Sequence, residues 1–431
     1  MRSIEKLNIR RLFMSGLVSL CLVGLLFISC NGNSKSESLT VEITNSSNVS
    51  KTDILVELSN KEFIEKLNEF NVKAIAVKLE DKVVPHQLEF NQYNQLINSL
   101  LINLDVPANE SIKIIVNEDL NVAHDFVKRT QAEISVKEGG KWHPVIKKNG
   151  AKQFEYQGGE FKNIESLRVP DKHTDHTYYI RYEGPGWESD KVGYRFYLDW
   201  RNAVDIFGKR TNEMVLQDVG LDGFDSYHED ADWGMDVLKV GKSLGLGSIA
   251  YWNGDKAIRV ENTDSVSCEI RQNGNLRSEI VTNYYGWKDC NQHTNLESII
   301  SIDAGSRLTN QLIYTKAEVQ NICTGIVNHG VGFYQSKNEE SEWSYIATYG
   351  NQSLNDDKLG MFVFYKTETL IQLVEDEYSY ALVLKPQNNK VEYYFGATWE
   401  QELDAVSNEE EFVNYLEQTL EKINNPVNKK Y

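Results

Sequence analysis

The chain has 431 residues, of which 41% are hydrophobic, and a formal net charge of −18. An acidic balance of this size favours solubility and excludes DNA or RNA as the expected partner. Only seven prolines and few segments of 3.6-residue periodicity exclude a helical or doubly wound fold.

The first 38 residues read as an export and anchoring segment. A basic start (Arg2, Lys6, Arg10, Arg11) precedes an apolar run from Leu12 to Ile28, then Ser29 and Cys30. A small residue before a cysteine at the end of an apolar run is a lipoprotein-type cleavage site, with Cys30 as the lipidated residue. The spacing predicts a signal peptide over 1–29 and a polar tether over 30–38. The competing reading is a single membrane-spanning anchor, for which 17 residues lie at the short limit of roughly 17–25. Removing residues 1–29 takes four basic residues and Glu5 with it and leaves −21. The expected location is the outer membrane, at its periplasmic face or the cell surface.

Residues 39–126 read as a small β-sandwich. Leu39, Val41 and Ile43 alternate with polar residues, Ile54, Val56 and Leu58 repeat the pattern, and 72–84 and 111–116 continue it. Residues 127–431 hold longer, aromatic-rich strands: 178–182, 194–200, 298–302, 308–314, 360–365, 378–384 and 391–395. So many strands predict two large packed antiparallel sheets, a super-sandwich. A helix closes the chain: Ser407 and Glu410 form a capping box, and Phe412, Leu416, Leu420 and Ile423 recur at helical spacing. Cys268, Cys290 and Cys323 lack metal-ligand spacing, and one disulfide among them is compatible with an exported protein.

The densest polar segment runs from Asp218 to Gly247, with His228, Asp230, Asp232, Trp233, Asp236, Lys239 and Lys242 among six glycines. Glycine lets backbone approach a ligand closely, so this mixture suits a site. The alternative is a loop that holds calcium through Asp222, Asp225, Asp230 or Asp232. His329, between Asn328 and Gly330, ends a strand and projects from it or is buried and hydrogen-bonded. Arg201 and Arg259 offer bidentate contacts to a carboxylate or sulfate; surface ion pairing is the commoner fate of an arginine. Tryptophans and tyrosines concentrated after residue 187 suit a cleft that stacks on sugar rings. His173 and His176 sit in an irregular stretch that places no metal reliably. Nucleotide-binding, nucleophile-elbow and zinc-protease signatures are absent, and no cofactor or metal is expected.

The segments 187–197 (WESDKVGYRFY), 228–252, 303–307 (DAGSR) and 394–399 (YFGATW) resemble a family of secreted bacteroidete proteins from polysaccharide-degrading gene clusters, long labelled only as a domain of unknown function. The resemblance covers nearly the whole chain after the tether and implies a galactose-mutarotase-like super-sandwich. The activity known in that family is dehydration of oligosaccharides from ulvan, a sulfated green-algal polysaccharide. It implies an acidic oligosaccharide as partner and water loss from a nonreducing-end uronate, giving a 4,5-unsaturated sugar. That chemistry needs a base for H5, an acid for the departing C4 hydroxyl, and cations that neutralise the carboxylate. By residue type, His228 or His329 is the expected base and Tyr284 or Tyr285 the acid. Arg201, Lys239 and Arg259 are the expected neutralisers, with Trp233 against the sugar. Two other readings compete: a glycoside hydrolase using two carboxylates from Asp230, Asp232, Asp236 and Glu188, and a non-catalytic surface glycan binder.

Overall fold

The computed structural model describes residues 38–431, apart from 123–124, 149, 224–225 and 338–339. The signal peptide, Cys30 and the tether lie outside the described residues, as does Asp225. Residues 38–431 form one compact unit.

Two sheets begin it. The first has the order Asn428–Lys430, Ser38–Thr44, Ser111–Glu118, Ile75–Leu79, Lys82–Val83; the second runs Lys51–Leu58, Ile97–Val106, His86–Phe90. Val41, Ile43, Val77, Val116, Leu100 and Ile102 are buried in one cluster between them, as the apolar alternation predicts. A short helix, Lys61–Leu67, was not foreseen: Asn60 caps it by accepting from the Phe63 amide, and Phe63 and Leu67 are buried.

The larger part is built on a nine-stranded antiparallel sheet, in the order Ser166–Arg168, Ser265–Asn273, Arg277–Trp287, Thr294–Asp303, Leu308–Thr315, Lys390–Trp399, Lys358–Lys366, Trp343–Asn351, Gly332–Gln335. Thr294–Asp303 alternates strictly between buried and half-buried positions, so Leu296, Ile300 and Ile302 share one core face. Two five-stranded sheets complete the core. One holds Gly234–Asp236, Val204–Lys209, Gly193–Phe196, Gly186–Ser189 and Thr130–Glu133; the other holds Ala257–Arg259, Ala250–Trp252, Ile322–Val327, Ser379–Leu384 and Leu370–Glu375. Trp187, Tyr194, Ile280, Ile300, Leu382 and Phe395 belong to one continuous core. The molecule is therefore mostly β, a small sandwich joined to a large antiparallel super-sandwich, with a C-terminal helix.

That helix spans Glu409–Asn424. Its cap lies one residue later than expected: Asn408 accepts from the Glu411 amide, and the Glu411 carboxylate accepts from the Ser407 amide. Phe412, Leu416 and Leu420 face the sheet as the spacing predicts, each worth about 1.5–3 kcal/mol of apolar burial. One other expectation fails. Residues 178–182 are not a strand, because Tyr178 and Tyr182 take positive φ angles of 59° and 36°. Cys268, Cys290 and Cys323 are free thiols, two of them buried separately in the core, so no disulfide joins them.

Candidate functional site

The hairpin made by Gly193–Phe196 and Val204–Lys209 carries a buried charged network. Burial of a guanidinium is costly unless every donor finds a partner. Arg195 is 1% exposed. Its Nη1 donates to the Tyr182 carbonyl at 3.1 Å and the Tyr227 hydroxyl at 3.0 Å. Its Nη2 donates to Asp205 at 2.9 Å and Asp236 at 2.7 Å. Tyr197 donates to the same Asp205 oxygen at 2.8 Å. Burial, reinforced by the neighbouring Asp205 charge, pushes the Asp236 carboxyl well above the usual carboxylate range despite Arg195.

This network surfaces at two places. Beside Asp236 stands His228, with its Nε2 3.5 Å from the carboxylate and its side chain one-third exposed. The Tyr227 ring lies 4.5 Å from the imidazole, and burial raises its phenol pKa. On the other side Tyr197 packs between two guanidiniums, 4.9 Å from that of Arg195 and 4.0 Å from that of Arg201.

Arg201 is fully engaged. Nε and Nη2 grip Asp199, Nη2 also lies 2.8 Å from Glu183, and Nη1 lies 2.8 Å from Asp175. Burial opposes ionisation of Glu183, but the charges of Arg201 and Arg195 outweigh it and hold the pKa low. Arg259 sits next to this group: its Nη1 donates to the Ser243 carbonyl at 3.0 Å, and burial lowers its pKa while the charges of Asp199 and Arg201 reach it.

A strained segment shapes the remaining wall. His176, Tyr178, Tyr182 and Glu183 all take positive φ, from 36° to 70°, at about 1–3 kcal/mol each. Surrounding contacts over-determine that backbone. Arg181 donates to the carbonyls of Leu216, Gln217 and Val219 and pairs with Glu133, which also receives the Tyr182 hydroxyl. The result is a socket of about 80 Å³ lined by His176, Tyr178, Tyr182, Glu183 and Tyr227. That is well below the roughly 300–1,000 Å³ of ligand pockets. Asp175, His176 and Glu183 present ligand atoms within 4.8 Å of one another, but Arg201 already supplies the cation between Asp175 and Glu183. His173 is buried with Nδ1 against the Thr177 hydroxyl, which separates it from His176 as a metal pair.

Of the residues singled out in the sequence, His228, Arg201 and Arg259 therefore meet around one polar network. Tyr284 is corrected to a positioning role. It is 3% exposed and its hydroxyl donates to the Asn202 side chain at 2.9 Å, while Asn202 also donates to the Val260 carbonyl. Tyr284 thus ties the Arg201 turn to the Arg259 strand and cannot reach solvent. Its neighbour Tyr285 points the opposite way, 42% exposed and 3.5 Å from the Ser267 hydroxyl. Trp233 packs half-buried against Phe207. His329 places Nε2 3.1 Å from the carbonyl of the exposed Lys239, and burial lowers its pKa. Of the hydrolase carboxylates, Glu188 is fully buried on Lys209 at 2.6 Å and Asp236 is buried on Arg195, whereas Asp230 is exposed and paired with Arg210 and Asp232 is exposed. Asp222 accepts from the Ser226 hydroxyl. Arg195, Tyr197, Tyr182 and Glu183 were missed; the available signal was an arginine flanked by aromatics in a strand.

Residues 43–428 match the family described as "Domain of unknown function (DUF4861)". A relative from Formosa agariphila, described as "Uncharacterized protein P7", is 23% identical in an alignment of 327 residues that covers 66% of this chain and 76% of the relative. Two solved structures from Enterococcus faecalis match at 9% identity over 91% of this chain. One is a protein in glycosyl hydrolase family 38 (TM-score 0.47, 47% of that chain covered); the other is an alpha-mannosidase from strain V583 (TM-score 0.44, 46% covered). The chain spans about half the length of these two structures.

Proposed function

The chain belongs to the DUF4861 family, and from that premise we propose that it is a dehydratase. It would remove water from a nonreducing-end uronic acid of ulvan-type oligosaccharides. The observation that carries this reading is the pairing of a part-exposed His228 with Tyr227 over the buried Arg195–Asp236 contact. In this reading His228 takes H5 as general base, with the buried Asp236 carboxyl 3.5 Å from its Nε2 to orient the ring. Tyr227, 2% exposed and buried like Tyr284, accepts from Arg195 and packs on the His228 ring as a positioning residue, and the proton for the departing C4 hydroxyl is the one His228 has taken from C5. The C5–H bond breaks, its electron pair forms the C4–C5 double bond, and the C4–O bond leaves as water. Arg259 is assigned to the uronate carboxylate, because three carboxylates already saturate Arg201.

An anionic substrate approaching a chain of net charge −18 gains nothing from long-range attraction. The local guanidiniums must therefore supply the binding. Export and anchoring through Cys30 belong to the same proposal, since acidic polysaccharide fragments arise outside the cytoplasm.

Mass spectrometry of uronate-capped oligosaccharides after incubation tests the reaction class. Loss of one water with new near-ultraviolet absorbance supports dehydration. Shorter saturated products would replace it with hydrolysis, and binding without turnover would leave a glycan-binding protein.

A further inference from the structure

A second concave feature lies away from the His228 network, in the angle between the small sandwich and the nine-stranded sheet. It is a preformed groove of about 980 Å³, bounded by residues 86–98 on one side and by strands 265–273, 277–287 and 294–303 on the other. Its walls are fixed to each other. Gln87 accepts from the amides of Leu276 and Arg277 and donates to the Arg277 carbonyl. Arg277 holds Asp303 at 2.7 Å and Glu57 at 2.9 Å, with Glu89 3.7 Å away. A groove this size is at the upper end of ligand sites.

The lining chemistry is specific. Phe90 and Tyr93 stand 43% and 87% exposed at the rim, and Phe126 lines the same groove. Gln92, Asn98 and Gln272 supply amides, which donate and accept side by side as vicinal hydroxyls require. Glu89 and Glu279 line the floor; burial lifts both above the ordinary carboxylate range, so each holds a proton more readily than a surface glutamate. Glu269 and Glu297 add negative charge, and the Arg271 guanidinium is committed to Glu279 at 2.9 Å. Acidic walls oppose sulfated or carboxylated chains. Amides and carboxyls outnumber aliphatic side chains, which leaves few apolar sockets for a peptide.

We infer that this groove binds an uncharged stretch of a glycan chain, with sugar rings against Tyr93 and Phe90 and hydroxyls on the amides of Gln92, Asn98 and Gln272. The site is separate from the proposed dehydration centre and does not depend on it.

The test is calorimetric titration of the full mature protein with a xylo-oligosaccharide of about six units, in parallel with an oligogalacturonide of equal length. The uncharged chain is expected to bind. Tyr93→Ala combined with Phe90→Ala should weaken it about ten-fold or more, the scale of about 1.4 kcal/mol for lost stacking, and Gln272→Ala should weaken it independently. His228→Ala should leave it unchanged. Unaltered thermal melting shows that the double variant folds as the parent does, and Tyr93→Ala alone, at an almost wholly exposed position, should weaken binding in the same direction. Absence of xylo-oligosaccharide binding, equal binding of the oligogalacturonide, or unchanged affinity in the aromatic variant would overturn the inference. Loss of dehydration in a protein that still binds the xylo-oligosaccharide would count against the first site alone.

Discussion

His228 Nε2 lies 3.5 Å from an Asp236 carboxylate that is itself 1% exposed and held by Arg195 at 2.7 Å. A part-exposed imidazole is thereby coupled to a buried charge network, which is the arrangement a positioned proton acceptor needs. His228→Ala is expected to lower turnover about 100-fold or more with little change in melting temperature. Steady-state kinetics on a uronate-capped oligosaccharide reads this, and full activity would remove His228 from the reaction.

Tyr227 and Tyr284 are both buried and differ in how near they stand to His228. Tyr227→Phe should depress kcat about ten-fold, the scale of one hydrogen bond to a charged group, because the Arg195 bond that holds the ring against His228 is lost. Tyr284→Phe should cost about 1 kcal/mol of stability through the lost bond to Asn202, and leave kcat within a few-fold. Paired measurements of kcat and urea unfolding decide between these roles.

Arg195 compensates two buried carboxylates, Asp205 and Asp236. Arg195→Met should destabilise the fold by about 3–5 kcal/mol, because it leaves two buried carboxyl groups without their donor. Urea denaturation gives the value; a change below about 1 kcal/mol would show that Arg195 is not what holds this hairpin network.

Asp175 gives a pH signature. Its hydrogen bond with His176, then the Arg201 charge, hold its pKa at about 2 against an ordinary 3.8. A depressed folded-state pKa contributes stability above the unfolded value and loses it as pH falls toward the folded one. The melting-temperature advantage of the parent over Asp175→Asn should therefore be full at neutral pH and shrink between 3.8 and about 2. A gap constant across that range would place the stabilisation elsewhere.

Arg259 is tested by substrate charge. If it neutralises the carboxylate as negative charge moves toward an enolate, Arg259→Lys should slow turnover of the free uronate more than that of its methyl ester. Equal losses on acid and ester would reduce Arg259 to a fold contact through Ser243.

Much of the architecture was legible because period-2 alternation reports directly on which face of a sheet is buried. Residues 294–303 and 308–315 behave as their patterns require. The segment 178–182 misled because its aromatics suit a strand, whereas Arg181 and Tyr182 are pulled out of register by bonds to Glu133 and to carbonyls at 216–219. His228 drew attention through its glycine-rich surroundings, and it stands beside the buried Arg195–Asp236 contact. Arg195 and Tyr197 did not, because a buried ion network is assembled across strands and no single strand carries its signature. The Tyr284 assignment failed for a related reason: consecutive strand residues face opposite ways, and the buried one of the pair was not distinguishable by type.

The strand Asn428–Lys430 pairs with Ser38–Thr44, so the two most distant segments of the described chain share one sheet. During synthesis the outer edge of Ser38–Thr44 stays open until residues 428–430 have emerged, long after the rest of its sheet can form. An open edge of alternating apolar residues is a template for unwanted strand pairing between molecules. The late strand is charged, through Lys429 and Lys430, and it covers the Glu42–Thr44 end of that edge with side chains that discourage further addition. Deleting residues 428–431 is thus a change in aggregation behaviour during folding more than in the finished core.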